Sequence, residues 1–263
     1  MFICDAHAHV FPDKIALKAA KSIGAFYNYP MAGTGTVDEL KSFYREAGIC
    51  HALIFSVAIV PKNVTGINTF IADTVSKDPG LFTGIGAVHP DCENLPGLMD
   101  EVRALGLKGL KIHPDMQQFA LDDPRAFAMF DVIQEAGLPV VIHTGDRRFR
   151  YSNPDLMKKV FDNFPRLVCV CAHLGGNSEW DEAVSLLRNY ENFYTDTSSS
   201  LYFMEPEKAV SVIRSYNREH IFFGTDYPMW KTDEELERFL SLPLTDTEKE
   251  LILGENVRRF INR

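Results

Sequence analysis

The sequence predicts an α/β fold in the form of a single TIM-type (β/α)8 barrel. Eight short apolar runs, each bounded by glycine or proline, alternate with amphipathic stretches whose apolar residues recur at helical spacing. Runs that are apolar on both faces are typical of parallel strands covered by helices, and a repeat of strand, helix and strand indicates right-handed βαβ units. Eight such units in 263 residues favour a barrel, with a doubly wound open sheet as the alternative.

The elements follow one another without a change of composition, so we expect residues 1–263 to form one domain. The predicted strands lie at residues 2–10, 50–58, 81–90, 107–114, 139–145, 167–175, 192–199 and 221–228. The clearest helix is TVDELKSFYREAG, where Thr36 and Glu39 predict a capping box and Gly48 ends the helix. Residues 13–35 form an insertion after the first strand, either a cover over an active site or a surface excursion, and the tail predicts one or two closing helices.

The charge balance and the cysteines restrict the class of protein. The formal net charge is −9, from 27 basic and 36 acidic residues, which argues against binding to nucleic acid or to an anionic membrane surface. The first residues lack the segments of a signal peptide, and no apolar run is long enough to span a membrane. Among five cysteines, Cys169 and Cys171 are interpreted as buried core thiols rather than a redox or metal pair. We therefore expect a cytoplasmic protein, and leave open whether it forms a homo-oligomer.

Side chains that can bind a metal or a substrate stand at the ends of most predicted strands. His7 and His9 end the first strand and share one face, because side chains alternate along a strand. The others are Lys111 and His113 on the fourth strand, His143 on the fifth, His173 on the sixth, Asp196 on the seventh and Asp226 on the eighth. Barrel active sites lie at the C-terminal ends of the strands, so these side chains should converge. Imidazole nitrogens and carboxylate oxygens are ligands of catalytic zinc, which predicts a metal site.

Six short motifs, spread along nearly the whole chain, resemble one known family. They are HAH at 7–9, GLKIHP at 109–114, VVIHTG at 140–145, AHLGG at 172–176, GTDYP at 224–228 and LGENVRRF at 253–260. As an ordered set they resemble the amidohydrolase-related branch of the amidohydrolase superfamily. That branch contains metal-dependent hydrolases and decarboxylases related to aminocarboxymuconate semialdehyde decarboxylase.

The resemblance implies a distorted (β/α)8 barrel that holds one divalent metal. In that family the first-strand histidines, the fifth-strand histidine and the eighth-strand aspartate bind the metal, which implies His7, His9, His143 and Asp226 in this chain. The sixth-strand histidine assists catalysis, and its counterpart is His173. Zinc is the expected ion, with manganese or another divalent ion as the alternative.

The expected activity is hydrolysis of an amide, ester or lactone by a metal-activated water. A bound divalent metal lowers the pKa of its water to roughly 7. Asp226 would accept the water proton and pass it to the leaving group, while His173 would orient the water or stabilise the developing oxyanion. The alternative is a metal-dependent nonoxidative decarboxylase of an unsaturated or aromatic acid, and the compact chain favours the hydrolase. A third class, a barrel that only binds a ligand, would not require the complete set of metal and acid positions.

The expected substrate is small and carries a carboxylate, although the protein is acidic. Lys111 is interpreted as a contact of that carboxylate, as a carboxylated bridging ligand of a two-metal site, or as a structural residue. His113 shares its strand face and is a candidate substrate contact. Arg147 is a candidate because arginine can bind both oxygens of a carboxylate.

The arginine loop and Asp5 each have two possible interpretations. The loop DRRFRYSNP contains three arginines, which either form a basic patch or pair with Asp146 and Asp155 in a solvated loop. Asp5 lies on the same face of the first strand as His7 and His9. It therefore either accepts a hydrogen bond below the metal or forms a structural ion pair.

Overall fold

The parallel strands of the barrel lie where the apolar runs predict them. The computed structural model describes residues 2–262. The strands are β1 (Cys4–His9), β2 (His51–Phe55), β3 (Phe82–Gly84), β4 (Gly86–Ala87), β5 (Leu110–Ile112), β6 (Val140–Ile142), β7 (Cys169–Cys171), β8 (Phe193–Asp196) and β9 (Ile221–Phe222). All eight predicted strands are confirmed, and the third is divided into β3 and β4.

Backbone contacts close these strands into a barrel. The sheet β1-β2-β3 and the sheet β4-β5-β6-β7-β8-β9 contain only parallel pairs. Ile85, between β3 and β4, donates its N–H to the carbonyl of Ile54 at 3.0 Å. On the other side an isolated parallel bridge joins Ala8 to Tyr227. The predicted fold class, a distorted (β/α)8 barrel, is therefore confirmed.

Helices surround the strands and also follow the last strand. They are α1 (Asp13–Tyr27), α2 (Val37–Ala47), α3 (Val64–Lys77), α4 (Leu95–Ala104), α5 (Pro114–Gln117), α6 (Pro124–Ala136), α7 (Pro154–Asn163), α8 (Trp180–Leu187), α9 (Pro206–Ser215), α10 (Thr232–Leu240), α11 (Asp246–Glu250) and α12 (Asn256–Ile261). A π-helical turn, Leu251–Glu255, joins α11 to α12. Over residues 2–262, no helix has both the length and the apolar character needed to cross a membrane.

Helix α2 forms only half of the predicted capping box. The side chain of Thr36 accepts from the N–H of Glu39, and Gly48 ends the helix with a φ of 74°. The Glu39 carboxylate, however, accepts from the backbone and hydroxyl of Thr34 and from the hydroxyl of Tyr227. Glu39 therefore ties the insertion to the segment after β9 instead of completing the cap.

Alternate residues along the strands form two separate apolar clusters. Cys169 and Cys171 belong to the large cluster between the strands and the helices, and both are buried free thiols, as predicted. Val141 and Val170 belong to the smaller cluster, which fills the barrel interior. Helix α12 packs Val257 against that cluster. The base of the barrel is therefore apolar and sealed, which leaves its open end for polar chemistry.

Candidate active site

Three atoms of the predicted metal ligands meet at the open end of the barrel. The Nε2 atoms of His7 and His9 are 3.3 Å apart, and Asp226 Oδ1 lies 3.4 Å from the first and 3.6 Å from the second. Nitrogen and oxygen ligands placed tetrahedrally around a zinc-sized ion lie about 3.4 Å from one another. The three side chains therefore fit a divalent cation by spacing as well as by donor type.

A second carboxylate orients His7. Asp196 Oδ2 lies 2.9 Å from His7 Nδ1, and Oδ1 accepts from the N–H groups of His173 and Ser198 at 3.2 and 3.1 Å. With the His7 proton held on Nδ1, the Nε2 lone pair faces Asp226 and is free for a metal. Sequence reasoning assigned Asp196 no role, although its place at a strand end was a usable signal.

Of the two roles predicted for Asp5, the structure shows a hydrogen-bond acceptor behind His7 and no ion pair within residues 2–262. Its carboxylate accepts from the backbone N–H of His7 and of Thr225, both at 2.9 Å, and from the Tyr44 hydroxyl at 2.8 Å. It bonds to no imidazole and to no basic side chain of residues 2–262. Asp5 therefore fixes β1 against the segment after β9, and orients His7 only through the backbone.

His173 and His143 lie beside this centre and contact each other. His173 Nε2 is 2.9 Å from His143 Nδ1, and His173 Nδ1 is 3.0 Å from the carbonyl of Ser198. Since a carbonyl can only accept, His173 carries its proton on Nδ1 and presents a lone pair at Nε2. The ligand atoms of His7, His173 and Asp226 all lie within 4.8 Å of one another. His173 therefore lies close enough to His7 and Asp226 to be a further candidate ligand.

A second group of possible ligands surrounds His143. The rings of His113 and His143 stack with centroids 3.9 Å apart, and Asp115 Oδ2 is 3.8 Å from His143 Nε2. Ligand atoms of these three residues also lie within 4.8 Å of one another. His143 Nε2 and Asp115 Oδ1 have no hydrogen-bond partner in the described chain. Asp115 was not singled out from the sequence, because it follows Pro114 in a short helix.

Backbone geometry places two of these side chains. His173 and Asp226 both adopt the left-handed region, with φ of 62° and 60°, which residues other than glycine seldom adopt. Such conformations cluster at functional sites. Gly224 lets the segment after β9 approach β1 closely, since a Cβ there would lie 2.9 Å from the Cβ of His7.

The environment favours the neutral forms of His9 and His143 and the ionised form of Asp226. Burial lowers the pKa of His9 and of His143, and the neighbouring imidazoles lower both further. Burial alone would raise the pKa of Asp226, but His7, His173 and His9 hold it below its ordinary value. Neutral imidazoles beside a carboxylate are the forms that bind a cation.

Lys111 lies beside the site without reaching either cavity at the barrel mouth. Its side chain is fully buried, its Nζ has no hydrogen-bond partner within residues 2–262, and it lies 4.9 Å from the centroid of the Phe55 ring. Burial lowers the pKa of Lys111 to about 8, against the opposing effect of Asp196 and Asp226. Lys111 lines neither of the two cavities at the barrel mouth, and its contact with a substrate carboxylate stays a prediction.

The arginine loop is mostly paired within itself. Arg148 binds the Asp146 carboxylate through two nitrogens and donates to the carbonyl of Phe26, and Arg150 binds Asp155. These are the pairings of the solvated-loop alternative. Arg147 differs, because it makes no ion pair with any residue in 2–262 and lines a cavity that also contains His143 and Asp226.

The insertion after β1 covers the mouth of the barrel. The Tyr27 hydroxyl lies 2.7 Å from His113 Nε2, and Phe26 stacks on Phe149 with centroids 5.5 Å apart. Tyr27 lines both cavities that open at the centre, and His113 lines the larger one. The insertion was predicted to be either a cover over an active site or a surface excursion, and the structure shows a cover. Tyr27 itself carried no sequence signal beyond its position in this segment.

Known proteins resemble this chain in sequence and in fold. It is 23% identical over 240 residues to a 2-amino-3-carboxymuconate-6-semialdehyde decarboxylase from Dictyostelium discoideum, covering 74% of this chain and 65% of that protein. The chain thus spans less than two thirds of that relative. An uncharacterised TIM-barrel protein from Bordetella bronchiseptica superposes with a TM-score of 0.81 at 20% identity, over 100% of both chains. A dihydroxybenzoic acid decarboxylase from a Polaromonas species, with bound manganese and the inhibitor 2-nitroresorcinol, gives 0.73 at 16% identity, over 100% of this chain and 98% of that one.

These relatives overturn the expected reaction and leave the expected metal unconfirmed. The predicted hydrolysis of an amide, ester or lactone is wrong, because both relatives with a named activity are decarboxylases, which matches the alternative. The compactness of the chain was therefore a misleading reason to prefer hydrolysis. The more general expectation of an enzyme is supported. Zinc is not confirmed, since the metal named for the Polaromonas protein is manganese.

The family itself rests on a match along almost the entire chain. The family model described as amidohydrolase matches residues 4–263, which include His7, His143 and Asp226. The sequence motifs, the barrel and the residues gathered at its mouth agree with that match. This chain belongs to the amidohydrolase family.

Proposed function

We propose that this chain is a metal-dependent nonoxidative decarboxylase of an unsaturated or aromatic carboxylic acid. The observation that carries the proposal is the convergence of His7 Nε2, His9 Nε2 and Asp226 Oδ1 within 3.3 to 3.6 Å of one another. The decarboxylase names of its relatives favour this reaction among those that such a centre can support.

Four side chains would hold the divalent cation. Our proposed set is His7, His9, His143 and Asp226. His143 would contribute Nδ1, so the cation would replace the hydrogen bond between this atom and His173 Nε2, and the His143 proton would move to Nε2, which lies 3.8 Å from Asp115. When bound, the cation would hold the substrate oxygens and withdraw electron density from the bond that breaks. Zinc and manganese both accept nitrogen and oxygen ligands, so the donor set alone does not choose between them.

Loss of CO2 requires a proton at the carbon that carried the carboxylate. The C–C bond breaks, its electron pair stays on that carbon, and a proton replaces the departing CO2. We assign delivery of this proton to His173 Nε2, which would first take up a proton from water in the cavities that it lines, because the neutral ring holds its own proton on Nδ1. The Ser198 carbonyl keeps the Nδ1 proton of His173 in place, so exchange is restricted to Nε2.

Two further residues would position the substrate. Arg147 has no ion-pair partner in the described chain and faces the smaller cavity, so its guanidinium is available to a substrate carboxylate. Tyr27 covers the centre from the insertion and restricts the access of water. The acidic net charge of the protein makes such a local cation useful, because the overall field repels anions.

The test is CO2 release by metal-reconstituted protein. Protein stripped with a chelator and reloaded with zinc or manganese would be incubated with a panel of unsaturated and aromatic acids, and CO2 would be measured together with the decarboxylated product. We expect release that depends on the metal and is lost in the His7→Ala, His9→Ala double variant. The Asp122→Asn variant, changed at a partly buried acid that pairs with Lys159 and lines neither cavity, serves as the control. Metal-independent release, or none from any acid, would contradict the proposal.

A further inference from the structure

Two cavities open at the centre and differ in character. The larger has a volume of about 830 Å³ and the smaller about 540 Å³. Both are lined by Tyr27, His143, His173, Asp226 and Met229. The smaller cavity extends from the centre among polar groups such as Arg147, whereas the larger extends between helices α1 and α3. The proposed reaction assigns a role to Arg147 in the smaller cavity but none to the space between the two helices.

Helices α1 and α3 form the walls of this space, which we term the apolar chamber. Helix α1 contributes Ile15, Ala19 and Ile23, which recur at four-residue spacing and therefore share one face. Helix α3 contributes Gly66, Ile67 and Phe70 from its own facing side. The chamber is thus lined mainly by aliphatic and aromatic groups, and its polar lining residues include Lys18, Ser22 and Lys62.

The mouth of the chamber leaves apolar side chains in water. Ile15 is 51% exposed and Ile59 is 45% exposed, and both line the chamber. Neither is an isolated surface residue, since each continues the apolar wall. Water gains few hydrogen bonds in such a space, whereas an apolar ligand group would remove this surface from water.

From these observations we infer that the substrate is a carboxylic acid with an extended apolar body, alkyl or aryl, which occupies the chamber between α1 and α3. This inference rests on the proposed decarboxylase function and adds the substrate class. The carboxylate lies at the histidine centre, and the apolar body runs outward past Ile23 and Ile67. A volume of about 830 Å³ suits a ligand considerably larger than a single benzoate ring.

A large side chain introduced at Gly66 would fill the chamber selectively. A Cβ added at Gly66 meets no heavy atom within 4 Å, and no left-handed backbone hinders a substitution. Replacing a helical glycine also favours the helix. Gly66→Trp should therefore reduce the chamber without unfolding the protein, and Gly66→Leu is a smaller obstruction. Gly80 is equally open but lines neither chamber nor centre, so Gly80→Trp is the matched control.

The experiment measures binding of benzoate, 4-butylbenzoate and 4-hexylbenzoate to the metal-loaded protein by calorimetry. Each methylene that enters the chamber should tighten binding by about fourfold. Gly66→Trp should abolish this gain while leaving benzoate binding within about twofold, Gly66→Leu should reduce it, and Gly80→Trp should leave it intact. Thermal denaturation of each variant checks that the fold is retained.

The outcomes separate this inference from the proposed function. Equal affinity for the three benzoates, or a gain that survives in Gly66→Trp, would overturn the apolar chamber as the substrate site. CO2 release is measured on the same panel of acids. If the affinity gain is found and depends on Gly66, but no acid is decarboxylated, the chamber is supported as a binding site and the decarboxylase proposal fails.

Discussion

His7 Nδ1 and Asp196 Oδ2 are 2.9 Å apart, and this contact joins β1 to β8. Burial would raise the pKa of Asp196, but His7 holds it well below its ordinary value, so the carboxylate stays ionised. An ionised acceptor fixes the His7 proton on Nδ1 and leaves Nε2 as a ligand. The proposed metal site would therefore depend on Asp196, a residue outside the proposed set of ligands.

Asp196→Asn should weaken metal binding by about 10- to 100-fold. Oδ1 of Asp196 accepts from three donors, so the amide NH2 of asparagine is expected to face His7. An N–H at that place would force the His7 proton onto Nε2 and block the lone pair. Metal affinity measured by competition with a chelator tests this. Asp146→Asn removes a buried acid that contacts Arg148 and should leave affinity unchanged. Equal affinity in both variants would refute the role of Asp196.

His143→Asn and His173→Asn should separate the ligand from the proton carrier. We expect His143→Asn to lose most of its metal, because a ligand is removed. His173→Asn should retain metal and lose about 10²- to 10⁴-fold in kcat, the usual contribution of a general acid or base. Elemental analysis after dialysis and CO2 release distinguish the two effects. The reverse pattern would make His173 the ligand, in keeping with its closeness to His7 and Asp226.

Lys111→Met should stabilise the metal-free protein. The folded chain holds this ammonium without a hydrogen-bond partner among residues 2–262, and its pKa falls from 10.5 to about 8. That shift corresponds to a cost on the order of 3 kcal/mol at pH 7. Chemical denaturation at pH 7 should show a gain of this order, whereas Lys159→Met, at an exposed lysine, should show little change.

The Lys111 effect has a defined dependence on pH. Below pH 8 the lysine is protonated in both states and the folded state carries the full cost. Between pH 8 and 10.5 the unfolded state binds the proton and the folded state does not, so the wild type gains stability as the pH rises. The advantage of the methionine variant should therefore shrink across this window. An advantage that grows with pH, or a loss of stability at pH 7, would show that Lys111 is a favourable structural cation.

Strand parity and strand ends made much of the site predictable. His7 and His9 alternate along one strand, and Asp226 follows another whose end must lie at the same mouth, so their convergence follows from the barrel alone. The fold class was predictable for a related reason, since apolar runs and amphipathic stretches alternate along the whole chain.

Long-range partners were not predictable in the same way. The alternation of side chains along the first strand suggested that Asp5 orients the first-strand histidines. Closure of the barrel instead places Asp196 beside His7, although the two residues are 189 positions apart in the sequence. Side-chain depth was equally hidden, because Lys111 occupies a strand end yet lies in the interior. In the arginine loop, local pairing decided the outcome, since Asp146 binds Arg148 two residues away and leaves Arg147 free of ion pairs within residues 2–262.

Arg147→Ala should selectively weaken the binding of anionic ligands. Arg147 lines the smaller cavity near His143 and Asp226, so its guanidinium can reach a carboxylate held at the centre. We expect KM for an accepted acid to rise about tenfold, with a smaller effect on inhibition by the corresponding neutral amide. Arg150→Ala is the matched control, because Arg150 belongs to the same loop but pairs with Asp155 and lines neither cavity. The wild-type preference for the acid should also weaken with salt, since a partly exposed ion pair is screened. If Arg147→Ala and Arg150→Ala change acid and amide binding equally, the carboxylate is bound elsewhere and the metal centre alone must hold it.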